Sequence, residues 1–388
     1  MTQAITGAID LESLLSQLGP RFAAQADERD EGAVFVAENY EDLKQQGVFA
    51  ALVPSELGGG GKQHSEMCDF VRGLARYCGS TALALSMHQH LVSAAVFNYR
   101  NGKPGQKLLE KVAGGAILIS TGANDWLGSN GEVQRVEGGY RVTARKPFAS
   151  GSPAGNILVT SAPYEDPEEG WQVLHFPAPL AAEGVSLAGD WQTLGMRATG
   201  SETVLLNEVF VPDEAVVLRR PRGLYHPAFN VILTVAMPLI ISAYLGVAEA
   251  AVEIAVKQGR KRQDDPTAPF LLGELTNLLT TAQLARNDMV ATCNDWDFAP
   301  TTETANAILI RKTIAAKATI ATAEKALEAT GGSGFYRKLG LERLLRDVHG
   351  AQFHPLPEKR QQDFTGRLAL GLEPIREVET PKLQVAAE

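Results

Sequence analysis

The chain has 388 residues, 45% apolar and 21% charged, which exceeds one ordinary domain and excludes a disordered or fibrous chain; two or three subdomains around a large core are expected. Its 36 basic and 45 acidic residues leave a formal charge of −9, and without a basic run nucleic acid is excluded as a partner. Cys68, Cys78 and Cys293 lack metal-ligand spacing and read as inert thiols, and Met1 to Asp10 carries no basic-then-apolar leader, so a cytoplasmic protein without a metal is expected.

Residues 1–114 read as an N-terminal helical domain. Asp10 is an N-cap, Gly19-Pro20 a stop and restart, and Met67, Phe70, Val71, Leu74 and Tyr77 form one apolar stripe after a Ser65 cap. Residues 115–222 change period. Ala116–Ser120, Tyr140–Ala144, Asn156–Thr160 and Trp171–His175 are short β-type runs, separated by Gly138-Gly139, Gly151-Ser152-Pro153 and Asp166-Pro167. Such close spacing predicts a compact antiparallel sheet or barrel, not a parallel βαβ array.

Residues 223–388 return to helical spacing. Ala228 to Ala248 carries no charge and approaches membrane-spanning length. Pro238 in its middle, Asn230, Thr234 and Ser242, and its amphipathic flanks predict a buried core helix instead. A last long helix places Leu309, Ala316, Ile320, Ala323 and Leu327 on one face and ends at Gly331-Gly332. The clusters Arg219-Arg220 and Arg260-Lys261-Arg262 are either solvated faces or contacts to one anionic small molecule such as a cofactor pyrophosphate.

Four passages carry a resemblance: Val53-Pro54-Ser55-Glu56-Leu57-Gly58-Gly59; Lys146-Pro147-Phe148-Ala149-Ser150-Gly151; Leu194-Gly195-Met196-Arg197-Ala198-Thr199-Gly200-Ser201 with Val209-Phe210-Val211-Pro212; and Gly331-Gly332-Ser333-Gly334-Phe335 with Arg346-Asp347. In this order and spacing the sequence resembles the acyl-CoA dehydrogenase superfamily over nearly its whole length. The resemblance implies an α+β fold: N-terminal helical domain, middle antiparallel β-barrel, C-terminal four-helix bundle. It also implies a flavin between barrel and bundle, a small-molecule substrate, and a homo-oligomer, dimer or tetramer.

By the same resemblance Phe148 lies beside the isoalloxazine, Ser150 reaches the N5 region, and Ser120 and Thr121 begin a flavin-contacting loop. Ser129, in Gly128-Ser129-Asn130, stands near substrate or in a plain surface turn; Trp126 and Asn130 depart from the family's pattern. Gly331, Gly332 and Arg262 are placed for a pyrophosphate, the arginine serving a neighbouring subunit, so FAD is the expected cofactor and FMN the alternative. Asp265-Pro266 replaces the Phe-Gly that normally follows the arginine. A helix C-cap is the plain reading of the glycine turn. It is no dinucleotide fingerprint, since no strand precedes it.

α,β-Dehydrogenation of an acyl thioester needs a carboxylate beside the α-carbon. In the family this glutamate commonly lies eight positions after the aspartate of the Arg-Asp pair. Here that position is Pro355, preceded by His354, and the alternative place near Leu233 to Val235 holds no carboxylate. Glu358 substitutes only if the loop is re-routed; Glu249 and Glu253 read as solvent-facing or paired with basic neighbours. Ser150-Gly151 and Phe353-His354-Pro355 are similar instead to the superfamily's reduced-flavin monooxygenases. In those enzymes reduced flavin and dioxygen give a C4a-hydroperoxide near which a histidine acts as donor.

His354 and Ser150 are therefore the candidate catalytic residues, an imidazole suiting proton chemistry near working pH. A structurally held loop histidine is the plain alternative. His88 and His90, two apart on a helix, cannot point the same way and make a poor metal pair; one of them lines the substrate pocket or both simply pack. Three functions compete: an oxygen-activating monooxygenase on a small aromatic, sulfur or nitrogen compound, supplied by a flavin reductase; an acyl-CoA dehydrogenase with Glu358 as base; and a non-catalytic flavin or acyl-CoA binding protein.

Overall fold

The computed structural model describes residues 9–121 and 127–375; Trp126 lies outside them. Helix α1 (Leu11–Glu31) starts where the Asp10 carboxylate accepts the Ser13 amide at 3.1 Å. It does not stop at Gly19-Pro20 but runs on to Glu31. The proline removes one helical amide, yet the buried stripe of Leu14, Leu18, Phe22 and Ala26 spans it. Gly19 makes room for the Tyr77 ring, which a Cβ there would meet at 2.5 Å. Packing against the next helices thus outweighs the local break.

α2 (Ala37–Gln45) precedes α3 (His64–Tyr77), which opens on a capping box of Gln63 and Glu66 and not on a Ser65 cap. Ser65 instead gives its amide and hydroxyl to Asp295 at 2.8 and 3.1 Å. α4 (Gly79–Arg100) is buried nearly all round from Gly79 to His90, and α5 (Gln106–Ala113) closes the helical region. A helix with no solvent face over three turns is a post around which other layers assemble.

Strands β1 (Leu118–Ser120), β2 (Glu132–Val136), β3 (Gly139–Ala149), β4 (Ile157–Asp166), β5 (Gly170–Pro179), β6 (Val185–Leu187), β7 (Glu202–Pro212) and β8 (Leu218–Pro221) follow. They form two four-stranded sheets, ordered β1-β4-β5-β8 and β2-β3-β7-β6. The pairings are antiparallel except β1 with β4, which runs parallel from Leu118↔Ile157 to Ser120↔Val159. Register shifts between β3 and β7 fall at Val142/Ala144 and Lys146/Ala149. Such bulges re-aim side chains, and the second one turns Phe148 outward.

The C-terminal helices are α6 (Ala228–Gly259), α7 (Ala268–Cys293), α8 (Thr302–Thr330), α9 (Leu341–Val348) and α10 (Glu358–Ala369). Among the described residues α6 alone is long and apolar enough to cross a membrane, and 94% of its apolar window is buried inside the protein. It is a core helix, as its polar interruptions predict. Glu249 on α6 accepts from Arg72 on α3 at 3.0 Å, and Glu253 pairs with Arg76.

Two motif passages meet at the seam between strands and helices. The Met196 amide donates to the Asp347 carboxylate at 2.5 Å, and Arg346 donates to the Leu194 carbonyl at 2.9 Å. A Cβ on Gly195 would lie 2.3 Å from the Arg346 carbonyl oxygen, so only glycine permits this approach. Burial raises the Asp347 carboxyl to about 6, against the pull of Arg343.

Candidate active site

The structure sorts the candidate residues into three groups. The first surrounds the turn after β3. Phe148 has φ +61° and is 55% exposed, with its ring edge-on to Trp191 at 5.9 Å. A bulky residue at positive φ is strained, and exposing an aromatic ring adds to its cost, so the turn presents a planar apolar face at an energetic expense. Gly151 follows at φ +76°, where a Cβ would meet the Tyr40 hydroxyl at 2.7 Å.

The buried hydroxyl of Ser150 lies 2.7 Å from that of Ser201, which lies 2.7 Å from that of Thr199. Thr199 in turn donates to the Met196 carbonyl at 2.9 Å. A carbonyl only accepts, so each hydroxyl along the chain hands its proton inward and Ser150 is left with an accepting oxygen. Ser120 is buried, and its hydroxyl finds no partner among the described residues; Thr121, just past the end of β1, is half-buried. An unpaired buried hydroxyl beside a half-exposed residue suits a bound polar ring edge.

The second group is built around His354. Its Nε2 lies 2.8 Å from the Tyr244 hydroxyl of α6, with the rings 5.4 Å apart. Lys312 of α8 donates from Nζ to the carbonyls of His354 at 2.9 Å and Leu356 at 3.1 Å. Burial, then the charge of Lys312 and the proximity of His90, hold the His354 imidazole at about 3. Burial, reinforced by Asp347, pushes the Tyr244 phenol well above its usual range. The pair is therefore a neutral imidazole and a protonated phenol at neutral pH.

His90 joins this group from α4. Its imidazole is buried against the Ser86 backbone, and burial lowers it to about 4. His88 faces the other way: its Nε2 donates to the Phe49 carbonyl at 2.9 Å and its Nδ1 accepts the Leu118 amide at 2.9 Å. One histidine packs, and the other acts electrostatically on the His354 ring. Tyr244 and Lys312 escaped the sequence reading. The first is hidden in a charge-free run; the second left a signal, a lysine set between Leu309 and Ala316 on the packed face of α8.

The third group brings Arg262 and Gly331 together. The guanidinium donates to the Ala329 carbonyl, pairs with Asp265 at 3.7 Å, and would meet a Cβ on Gly331 at 3.0 Å. Gly331 has φ +67°, while Gly332 has open space around it. The Arg262 Nε is buried without a partner among the described residues. This group stands apart from the seam: Gly259, at the end of α6, lies about 18 Å along the helix from Val247, from the helical rise, and Val247 packs on Gly79 beside Met196 and Asp347.

Other candidates are occupied elsewhere. The Ser129 hydroxyl donates to the Ser161 carbonyl at 2.8 Å and accepts from Ser161 at 2.9 Å and Lys146 at 3.2 Å, so its capacity is spent inside the sheets. Arg219 pairs with Asp166 at 3.1 Å, and buried Arg220 donates to His175 Nε2 at 3.0 Å and the Leu127 carbonyl at 2.6 Å. Glu358, the first residue of α10, pairs with Lys317 at 3.3 Å, which holds its carboxyl below the usual range. No cluster of three or more metal-ligating side chains occurs among the described residues.

Residues 18–116 match the acyl-CoA dehydrogenase N-terminal domain, and residues 239–358 the acyl-CoA dehydrogenase C-terminal domain. The chain belongs to the acyl-CoA dehydrogenase family. As a member it is an oxidoreductase. It is similar to amino sugar nitrososynthase DnmZ of Streptomyces peucetius, 26% identical over 93% of each chain. It is similar also to dibenzothiophene monooxygenase of Mycolicibacterium goodii, 27% identical over 84% of this chain and 86% of the other. The solved nitrososynthase from Micromonospora carbonacea var. africana superposes with a TM-score of 0.85, at 26% identity over 96% of this chain and 98% of that one. Solved chains of the same fold hold FMN or FADH2.

Proposed function

We propose that this member of the acyl-CoA dehydrogenase family is a flavin-dependent monooxygenase that places one oxygen atom of O2 on the nitrogen or sulfur of a small organic substrate. One observation carries the reading. Pro355 occupies the place that the resemblance gives to a dehydrogenase's glutamate, and the adjacent His354 is a buried imidazole bonded to Tyr244. An imidazole held at about 3 is too weak a base for an α-proton, but a neutral ring is a ready hydrogen-bond donor. The similarity to nitrososynthases and a dibenzothiophene monooxygenase supports nitrogen or sulfur as the oxygenated atom.

Bound reduced flavin supplies the two electrons of this reaction, the second oxygen atom leaving as water. Phe148 would cover the ring, Ser120 and Thr121 would meet its polar edge, and the accepting oxygen of Ser150 would receive a ring N–H. A Tyr244 phenol donating to Nε2 would keep the His354 proton on Nδ1, available to the oxygen being delivered. Arg262, Gly331 and Gly332 would hold a pyrophosphate, which FAD has and FMN lacks. Their distance from the seam implies that they serve the flavin of a second copy, so the working form is a homo-oligomer. Exposed Phe335 and Tyr336, directly after the glycine turn, suit that contact. The electrons would come from a separate reductase in the cytoplasm.

The test is product formation. Protein loaded with FAD, reduced without oxygen and then given O2 with a panel of small amines and sulfides should yield an oxygenated product. A dehydrogenase using Glu358 would instead lose the colour of its oxidised flavin on adding an acyl-CoA. A non-catalytic binder would do neither.

A further inference from the structure

Lys312 is 1% exposed on the packed face of α8, where an ammonium group is costly unless it is well bonded. Its observed acceptors are two backbone carbonyls, those of His354 and Leu356, which flank Pro355. With Thr313, Lys317, Gln352 and Glu358 it also lines a cavity of about 70 Å³, room for about two waters to meet the remaining ammonium hydrogen. A buried cation that spends itself on the carbonyls of one loop has a reason to be there beyond packing.

The groups around the His354 ring are the Tyr244 phenol from α6, His90 from α4 and Lys312 from α8. The carboxylate nearest in effect is Asp347 of α9, which acts on Tyr244 and not on the histidine. Among the described residues, every neighbour with an electrostatic influence on the imidazole thus disfavours a positive ring. Lys312 is the one among them that also fixes the backbone on which the ring is carried.

We propose that Lys312 is a positioning residue: its ammonium ties both sides of Pro355 to α8, seating the His354 ring against Tyr244, and its charge excludes a second positive charge at that ring. This rests on His354 being the working histidine of the proposed monooxygenase. The device keeps a proton-donating N–H in one tautomer and prevents the ring from becoming an imidazolium as pH falls. Charge and tether are distinct properties of the ammonium, so the two are separable by substitution.

The experiment uses the full chain with 15N-labelled imidazoles, without flavin, the His354 signal being identified by its loss in His354→Gln. In the native protein that signal should report one neutral tautomer from about pH 8 down to about pH 5. Lys312→Gln keeps a donor for the carbonyls and removes the charge; its His354 midpoint should rise by at least about one unit, tenfold in proton affinity. Lys312→Arg keeps the charge and should restore the native titration. An unchanged midpoint in Lys312→Gln overturns the proposal, as does an equal rise in both variants, which would trace the shift to packing. If the titrations follow the expected pattern but no substrate is oxygenated, the functional reading fails and the role of Lys312 stands. If oxygenation occurs and the titration does not respond to Lys312→Gln, the reverse holds.

Discussion

Under the proposed function the turn at Ser150 and the loop at His354 would solve the same problem, holding a polar atom where a flavin reaction needs it, by opposite means. The turn is local. Phe148, Ser150, Thr199 and Ser201 come from two short stretches joined as neighbouring strands β3 and β7, and the strain at Phe148 is confined to one bulge. The loop is assembled from afar: His354 is bonded by Tyr244 and Lys312 from two helices, and His90 of a third acts on its charge. Local geometry survives single substitutions better than a constellation of separate elements, which predicts that damage will be graded between the two regions.

The largest effect should come from His354→Ala. Loss of a positioned proton donor costs about 10²-fold or more, so oxygenated product should fall by that factor while flavin binding, governed by the other groups, stays within about twofold. Equal loss of both would show that the loop holds the cofactor and not the oxygen chemistry. Tyr244→Phe, which removes only the partner of Nε2, should cost about tenfold by leaving the tautomer unset.

Acid should come next. Burial lowers His64, His88 and His90 to about 4 and His175 and His354 to about 3. The unfolded chain takes up these protons near pH 6.5 and the folded chain does not, so stability is full above that pH and is lost as pH falls towards 4. Asp347, raised to about 6, acts in the opposite sense, since its folded form gains a proton first. Five groups against one should leave a net loss of more than about 3 kcal/mol between pH 6.5 and 4, measurable by urea unfolding. His88→Gln should flatten that slope; a stability independent of pH in this window would mean that the histidines are hydrated.

Smaller effects should mark the turn. Ser201→Ala frees the Ser150 proton, so the hydroxyl can donate as well as accept, and the preference for reduced over oxidised flavin should fall about fivefold, from about 1 kcal/mol for one hydrogen bond. A wider preference would reverse the assigned direction of the hydroxyl chain. Gly331→Ala should weaken FAD binding by a similar or smaller factor, because φ +67° and the guanidinium at 3.0 Å leave little room for a methyl group. FMN, without a pyrophosphate, should be unaffected.

The same contrast explains what could be read before folding. The order of helices, strands and helices was legible because period and turn residues are local, and the Leu194–Ser201 and Arg346-Asp347 passages were legible as words, although only the structure shows them bonded to each other. The stop at Gly19-Pro20 was misread because the Tyr77 ring that stabilises α1 there is 58 residues away. Ser129 read as a substrate contact or a surface turn, since nothing local reveals that its hydroxyl bonds Lys146 and Ser161. His354 was legible only through the resemblance, which puts it beside the place expected for a glutamate. Its surroundings were not, since Tyr244, 110 residues earlier, carries no mark that separates it from any core tyrosine.

The most direct measurement is rapid mixing of the FAD-loaded, reduced protein with oxygenated buffer, followed by absorbance. The account predicts a transient spectrum unlike oxidised or reduced flavin, outlasting the reoxidation of free flavin and shortened in His354→Ala. Direct return to oxidised flavin, together with acyl-CoA bleaching that is abolished in Glu358→Gln, would contradict it.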